Sequence, residues 1–408
     1  MRLDAIGQRS ETVRRANLSA IVRELHARGP LSRSGLVAAT GLTRSAIRGL
    51  IGEFVIAGLA TEERAEPSGT PGRPSPVVRL NPTGAMVIAV EIAVDSIAVA
   101  IVGLGGQVLQ LVRVDRPPGH TSVDEVVADL AELAATVRDH AWSSNNLIGI
   151  GVAVVGMVRR TDGFVSMAPN LEWTDVPLGS RIARALDTDG PIAVANEADL
   201  GALAELRRGA ARGHDNIVFI SGEVGVGGGI IVDGRPLTGV AGYGGEVGHL
   251  PVNPNGTPCR CGSSGCWETE IGERALLRLA GHSPDGGPSE VEAVLREARA
   301  GSPPALGALD SVGRWLGVGL AGLVNVLNPQ LIVLGGMFGR IHPYVTVAVR
   351  AELDRRALPA ASHVVRIVPA MLGIDAPLIG AAELAFEPFL LDPAMWLRRR
   401  TVDALASA

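Results

Sequence analysis

"MVIAVEIAVDSIAVAIVGLGGQVLQLVRV", residues 86–114, alternates apolar positions and then pauses at Gly105-Gly106. That pattern predicts a β-hairpin followed by a third strand. A helix, "SVDEVVADLAELAATVRDHA" (122–141), and a strand, "LIGIGVAVVG" (147–156), come next. A second set of strands and helices begins at "NIVFISGEVGVGGGIIVDGRPL" (216–237). Two similar α/β lobes in sequence predict a bilobal body with a cleft between them.

The chain has 408 residues, too many for one ordinary domain, and 47% of them are hydrophobic, enough to fill several cores. No apolar run approaches the ~20 residues needed to cross a bilayer. The start, "MRLDAIGQRSETVRR", is charged and lacks the apolar core of a secretory signal. A cytoplasmic protein without a membrane partner is expected. The net charge of −5 hides an asymmetry: residues 1–80 carry twelve Arg against seven acidic residues, leaving +5 there and −10 on the remainder. A basic head on an acidic body suggests an anionic partner for the head.

The order of elements in the head sharpens that suggestion. "RRANLSAIVRELHARGP" (14–30) places Leu18, Ile21, Val22 and Leu25 at helical spacing and stops at Gly29-Pro30. Ser32 can cap a short helix, "RSGLVAAT", and Gly41 breaks it. Thr43 can cap a third, "RSAIRGLIGEFVIAG", with Ile47, Leu50, Ile51 and Phe54 as its buried face. Two short helices joined by a Gly turn are a helix-turn-helix signature. The second would enter a major groove, with Thr43, Arg44, Ser45 and Arg48 near its start to reach phosphates or base edges. An ordinary three-helix bundle is the plainer reading of the same pattern. Leu59-Ala60 and Val77-Val78-Leu80 can form two strands around a Pro/Gly-rich tip that holds Gly72-Arg73-Pro74. This makes the helix-turn-helix winged, with Arg73 as a minor-groove hook; the competing reading is a flexible linker. Asn81-Pro82 marks the expected boundary.

All three cysteines and one histidine fall in "GHLPVNPNGTPCRCGSSGCWE" (248–268). In a reducing compartment such clustering favours metal binding or catalysis over disulfides, against chance clustering of buried thiols.

At "APNLEWTDVPL" (168–178), "GYGGEVGH" (242–249), "GLVNVLNPQLIVLGG" (322–336) and "DAPLIGAA" (375–382) the chain resembles the repressor/ORF/kinase (ROK) family. The resemblance covers nearly the whole chain short of its tail, and the head is similar to that of the family's repressor branch. It implies an α/β protein: an N-terminal winged helix-turn-helix followed by a bilobal, actin-like, sugar-kinase-like body. The expected domains are residues 1–80 for the head, 81–198 completed by 373–408 for the first lobe, and 199–372 for the second lobe with its zinc loop.

His249, Cys259, Cys261 and Cys266 have the spacing H-x9-C-x-C-x4-C, with Gly262 and Gly265 permitting tight turns. Four such ligands suit one closed, structural zinc per chain. The family resemblance brings Glu246, His249 and Glu268 to face a sugar, joined by Asn170, Asn196 and Glu197. Carboxylates and amides match the donors and acceptors of a polyol; a capping role is the plainer reading of each Asn, and a solvated surface carboxylate that of each Glu.

The phosphate-handling positions depart from the family's kinases. Asp-x-Gly-Gly-Thr becomes Glu91-Ile92-Ala93-Val94-Asp95, the general-base Asp becomes Glu197, and a glycine of the second phosphate loop becomes Glu223, although Gly225, Gly227, Gly228 and Gly229 remain. An extra methylene displaces a carboxylate by ~1 Å, enough to slow a reaction by orders of magnitude. Gly335-Gly336, near the adenosine side, remain and read equally as packing. These departures describe a sensor that has lost the kinase reaction. The expected protein is a sugar-responsive transcriptional regulator, a repressor, acting as a homodimer or homotetramer on an inverted-repeat operator. The alternatives are an ATP-dependent sugar kinase with an accessory DNA-binding head, and a body that binds a partner protein.

Overall fold

The computed structural model describes residues 10–63, 75–116, 122–138 and 146–397. Arg73 at the wing tip and the Arg398–Arg400 run lie outside the described residues.

In the head, α1 (Ser10–Arg28) stops at Gly29, whose φ of 80° is the left-handed region that favours glycine. Ser32 ends the two-residue β1 (Leu31–Ser32) and caps α2 (Arg33–Thr40) by accepting the Gly35 N–H at 3.0 Å. Gly41, at φ 71°, closes α2 by donating to the Val37 carbonyl at 2.9 Å. Thr43 then caps α3 (Arg44–Ile56), accepting the Ala46 N–H at 3.2 Å. The apolar faces expected on α1 and α3 are buried together. β2 (Ala60–Glu63) and β3 (Val77–Leu80) pair antiparallel, and β1 adds a third strand on the far side of β3. The third strand was not expected, because two residues are too short to show alternation.

The first lobe is a five-stranded sheet of order β11-β7-β4-β5-β6. It is built from β4 (Met86–Ile92), β5 (Ser96–Gly103), β6 (Gln107–Asp115), β7 (Leu147–Val154) and β11 (Ile192–Asn196), with α4 (Val123–Arg138) inserted before β7. A small meander of β8 (Met157–Arg159), β9 (Phe164–Ala168) and β10 (Trp173–Val176), then α5 (Leu178–Ala185), precedes β11. α6 (Glu197–Arg208) leads into the second lobe.

The second sheet has the order β14-β13-β12-β15-β16. Its strands are β12 (Ile217–Gly222), β13 (Val226–Val232), β14 (Arg235–Pro236), β15 (Leu331–Gly335) and β16 (Arg366–Pro369). Between them lie α7 (Trp267–Ile271), α8 (Glu273–Ala280), α9 (Gly287–Arg299), α10 (Pro303–Leu327), α11 (Gly336–Arg356) and α12 (Pro359–Val364). α13 (Ala376–Leu391) then returns to the first sheet. It lies so close to β7 that a Cβ on Gly151 would sit 1.8 Å from the Ala381 carbonyl oxygen.

One continuous set of buried side chains joins the head to the first lobe, including Leu25 and Phe54 from the head and Phe386 and Phe389 from α13. Trp396 stacks edge-on to Phe389 at 6.5 Å, and Leu397 is buried, so the described part of the tail completes this core.

Candidate functional site

Parallel strands β4, β7 and β11 of one sheet and β12 and β15 of the other end at residues 92, 154, 196, 222 and 335. The carboxyl ends of parallel strands are where α/β proteins hold ligands, because the connecting loops and helix N-termini gather there. Glu91 and Asp95, Asn196 and Glu197, and Glu223 lie at these ends; Asn170 lies between β9 and β10, and Glu246, His249, the cysteines and Glu268 lie on the segment from β14 into α7.

The histidine and the three cysteines converge: their ligand atoms all lie within 4.8 Å of one another. The local fold explains why. Val252 N–H and Asn253 N–H both donate to the Gly265 carbonyl, and Cys259 N–H donates to the Ser263 carbonyl at 2.8 Å, folding the loop back on itself. Gly265, at φ 65°, has no room for a Cβ, which would fall 1.7 Å from the Asn253 carbonyl oxygen. Cys259 Sγ stands 3.7 Å from His249 Nδ1, and Cys261 Sγ 3.6 Å from Cys266 Sγ. Burial pushes the Cys259 and Cys266 thiols up, while the Ser263 N–H holds Cys261 below the usual thiol range. The donor set fits a thiophilic cation: bound metal favours thiolates that burial alone disfavours.

Glu268, in the first turn of α7, joins this knot to the ligand side. Its Oε1 accepts from Cys259 Sγ at 2.9 Å and lies 3.8 Å from His249 Nδ1. Its Oε2 would be 3.3 Å from a Cβ on Gly225, and Asn170 Nδ2 would be 3.6 Å from the same point. Glu268, Asn170 and the β12–β13 turn therefore meet in one place. Asn170 Oδ1 is held by Arg260 Nη1 at 3.2 Å, a contact between segments 90 residues apart that no motif signals. Glu246 and His249 bracket the turn before this loop. Partial burial pushes the Glu246 carboxyl up, Glu268 adds to that, and His249 opposes it.

Asn196 takes the capping role. Its Oδ1 accepts the Ala198 and Asp199 N–H groups at 2.7 and 3.3 Å, and its Nδ2 donates to the Gly156 carbonyl at 2.9 Å. It fixes the start of α6 and keeps one amide proton for a ligand. Asp199 was not singled out in the sequence; it is 5% exposed, and its Oδ1 has no partner among the described residues. Burial raises its pKa to about 7, opposed by Arg160 and reinforced by Glu246.

The other half of the site is acidic. Burial pushes Glu197 up to about 8, with the charges of Glu91, Glu223 and Asp95 adding to the shift. Glu91 stands at about 7, because burial outweighs its 2.9 Å ion pair with Arg113. Burial also raises Glu223. Of the glycines retained near Glu223, Gly227 and Gly229 serve packing against α6, whereas Gly225 faces Glu268 and Asn170. A Cβ on Gly229 would meet the Ala198 carbonyl oxygen at 2.4 Å, and one on Gly227 the Ala198 Cβ at 2.8 Å. The same holds for Gly335, against the Phe219 ring at 2.6 Å, and for Gly336, against the Gly222 carbonyl oxygen at 2.4 Å.

In the head, Thr43, Arg44, Ser45 and Arg48 are exposed at the start of α3. Thr43 Oγ1 is also 3.1 Å from Ser45 Oγ. Among the described residues no ion pair engages Arg44 or Arg48, whereas Arg14 is tied to Glu53 and Arg33 to Glu62. Both guanidinium groups lie at the start of the second helix of the helix-turn-helix pair, the position that meets DNA in folds of this kind.

Fold and site together define a winged helix-turn-helix protein with a two-lobed, sugar-kinase-like body. The ROK family model matches residues 87–387, and the chain belongs to that family. It is similar to the xylose repressor of Bacillus spizizenii, 30% identical over 381 residues that cover 93% of this chain and 97% of the relative. Among solved structures it is similar to a ROK family transcriptional regulator described as a homolog of the E. coli MLC protein. That match has a TM-score of 0.76 and 26% identity, covering 96% of this chain and 99% of the other. It is also similar to a ROK family glucokinase from Streptomyces griseus in complex with glucose and AMPPNP. There the TM-score is 0.64 and the identity 29%, covering 74% of this chain and 100% of the other. No helix among the described residues is long and apolar enough to cross a membrane.

Proposed function

We propose that this protein is a sugar-responsive transcriptional repressor whose body senses a sugar and whose head binds operator DNA. The observation that carries this is coverage. The repressor relative is matched over 93% of this chain, head included, whereas the glucokinase match covers 74%. Arg44 and Arg48 would contact phosphates or base edges, with Thr43 and Ser45 beside them and Arg73 reaching the minor groove from the wing. Two heads of a dimer would read an inverted repeat with half-sites about one or two helical turns apart. Asn170, Glu246, His249 and Glu268 would hold the sugar hydroxyls, with Asn196 and Glu197 at the start of α6 completing the site.

His249, Cys259, Cys261 and Cys266 would hold one zinc, filling a tetrahedral shell with no place for a reacting water. Zinc would keep the thiolates together, and so keep Glu268 and His249 in register with the ligand.

The body would be a kinase that has lost its reaction. Phosphoryl transfer needs cations and backbone N–H groups around the phosphates. Here Glu91, Asp95, Glu197 and Glu223 surround that place, and Gly227 and Gly229 seat α6. The test is titration of the full chain into DNA selected from a random pool, with and without D-xylose or D-glucose. A sugar-dependent change in affinity without ATP turnover is expected. Sugar phosphate formed at ordinary enzyme rates, roughly 1 per second or faster, would make the body a kinase.

A further inference from the structure

Away from the site, the head meets the body through a buried polar joint. His26, in the last turn of α1, is 2% exposed. Its Nδ1 accepts the Gly105 N–H at 3.0 Å, so its proton sits on Nε2, which faces Glu383 Oε2 at 3.2 Å. Glu383, on α13, also accepts from Arg208 Nε at 2.7 Å. Arg208 Nη1 donates to two carbonyls, His26 at 2.7 Å and Gly105 at 2.9 Å. Gly106 leaves room for the guanidinium, since a Cβ there would lie 2.4 Å from Arg208 Cζ. Arg212 Nη2 adds a bond to the Ala27 carbonyl at 3.1 Å. One guanidinium thus joins α1 of the head, the β5–β6 turn and α13.

Arg208 is the last residue of α6, and α6 begins at Asn196-Glu197 in the site. Twelve helical residues span about 18 Å at 1.5 Å each. The rod has little slack. Ala198 through Leu206 are buried along its length. A Cβ on Gly201 would meet the Phe219 ring at 2.6 Å, and one on Gly380 the Leu200 carbonyl oxygen at 2.0 Å. Glu205, fully buried, takes the Met371 and Leu372 N–H groups at 2.9 and 2.8 Å. A helix packed this closely passes on a displacement at one end instead of absorbing it. Beyond this joint the described head–body contact is largely apolar, with single bonds from Ser19 Oγ to the Leu390 carbonyl at 2.7 Å and from Asn81 Nδ2 to the Gly58 carbonyl at 2.8 Å, and the exposed Arg15–Asp392 pair. The Arg208 joint is directional, and buried charged bonds are disfavoured when half broken.

We propose that α6 is the strut by which a ligand at Asn196-Glu197 re-aims the DNA-binding head, with Arg208, Glu383 and His26 as the positioning residues of its far joint. The proposal rests on the reading of the body as a sugar sensor. α1 carries the shift to α3, because Leu18, Ile21 and Leu25 share one core with Ile47, Ile51 and Phe54.

The test uses the full chain, with D-xylose and D-glucose as probes and DNA selected by the unmodified chain from a random pool. Sugar is expected to change DNA affinity about fivefold or more in the unmodified chain. Arg208→Gln should bind sugar within about twofold of it by calorimetry, yet show less than about a twofold sugar effect on DNA, its DNA binding having become insensitive. Arg15→Gln, which breaks the exposed tie, should keep the full response. Amide exchange of α1 should change on adding sugar in the unmodified chain and stay constant in Arg208→Gln. If Arg208→Gln folds, binds sugar and keeps the full response, the strut is refuted while the sensor reading stands. If the unmodified chain's DNA binding ignores both sugars, the sensor reading fails and the strut with it. Should Arg208→Gln fail to fold, His26→Gln, which keeps the Arg208–Glu383 pair, takes its place with the same two outcomes.

Discussion

The two halves of the candidate site are built from the same residue type to opposite effect. On the metal-loop side, Glu268 shares Cys259 and His249 as neighbours and meets Asn170 at Gly225. Glu268 has a donor close by, and the loop leading to it is cross-linked through its own backbone. On the side where a kinase would hold phosphates, Glu91, Asp95, Glu197 and Glu223 act on one another, and burial raises three of them. Carboxylates beside amides and an imidazole suit hydroxyl groups. Acids packed beside one another in low dielectric hold their protons and supply neither the cations nor the N–H groups that phosphates need. Under the proposed function, the body keeps recognition and loses chemistry by changing which neighbours its acids have.

The largest expected effect breaks the first half. Cys259→Ser should lose the metal, since one of four ligands is gone. Sugar affinity should fall about a hundredfold, because Glu268 loses its anchor. Metal analysis with calorimetry checks both; a chain without stoichiometric zinc that still binds sugar would detach the loop from recognition. Next, Glu268→Gln keeps shape and removes charge-assisted acceptance. Its sugar affinity should drop by about 2 kcal/mol with the metal retained.

A third measurement lies outside both halves. Arg48→Ala should weaken DNA binding by ~1–3 kcal/mol and relax specificity at one position per half-site if the arginine reads a base. Uniform weakening with a shallower salt dependence would instead mark a phosphate contact. Sugar affinity should not move.

The smallest effect probes the acidic half. Glu197, at about 8 in the fold against an ordinary 4.5, keeps its proton in the folded state between those values and loses it in the unfolded chain. Stability therefore falls as pH rises from about 4.5 towards 8. Glu197→Gln removes this loss. Its unfolding free energy should exceed that of the unmodified chain at pH 8 by a margin on the order of 1 kcal/mol, read as a higher melting temperature, and converge with it near pH 4.5. Equal pH profiles would place Glu197 in contact with water.

What could be read in the sequence was what a few adjacent residues decide. The caps at Ser32 and Thr43 and the stop at Gly41 depend on backbone geometry within a turn. The alternation in 86–114 and the helical spacing of Ile47, Leu50, Ile51 and Phe54 depend on which face is apolar. The Cys/His knot was legible because its four residues lie within eighteen positions of one another, on a loop short enough to close by itself. Tertiary structure decided the rest, because those contacts join residues with no shared local pattern. The sequence offers Asn196 as a cap for α6, but not its bond to the Gly156 carbonyl 40 residues away. Gly227 and Gly229 looked like a phosphate loop until α6 lay across them. Asp199 could be recognised as buried, its Oδ1 without a partner among the described residues, only once the Gly245 turn lay against it. The joint of His26, Arg208 and Glu383 spans 357 residues, and no spacing announces it. A buried charge is stable only where its partners arrive from elsewhere in the fold, and that arrival is a property of the packed molecule.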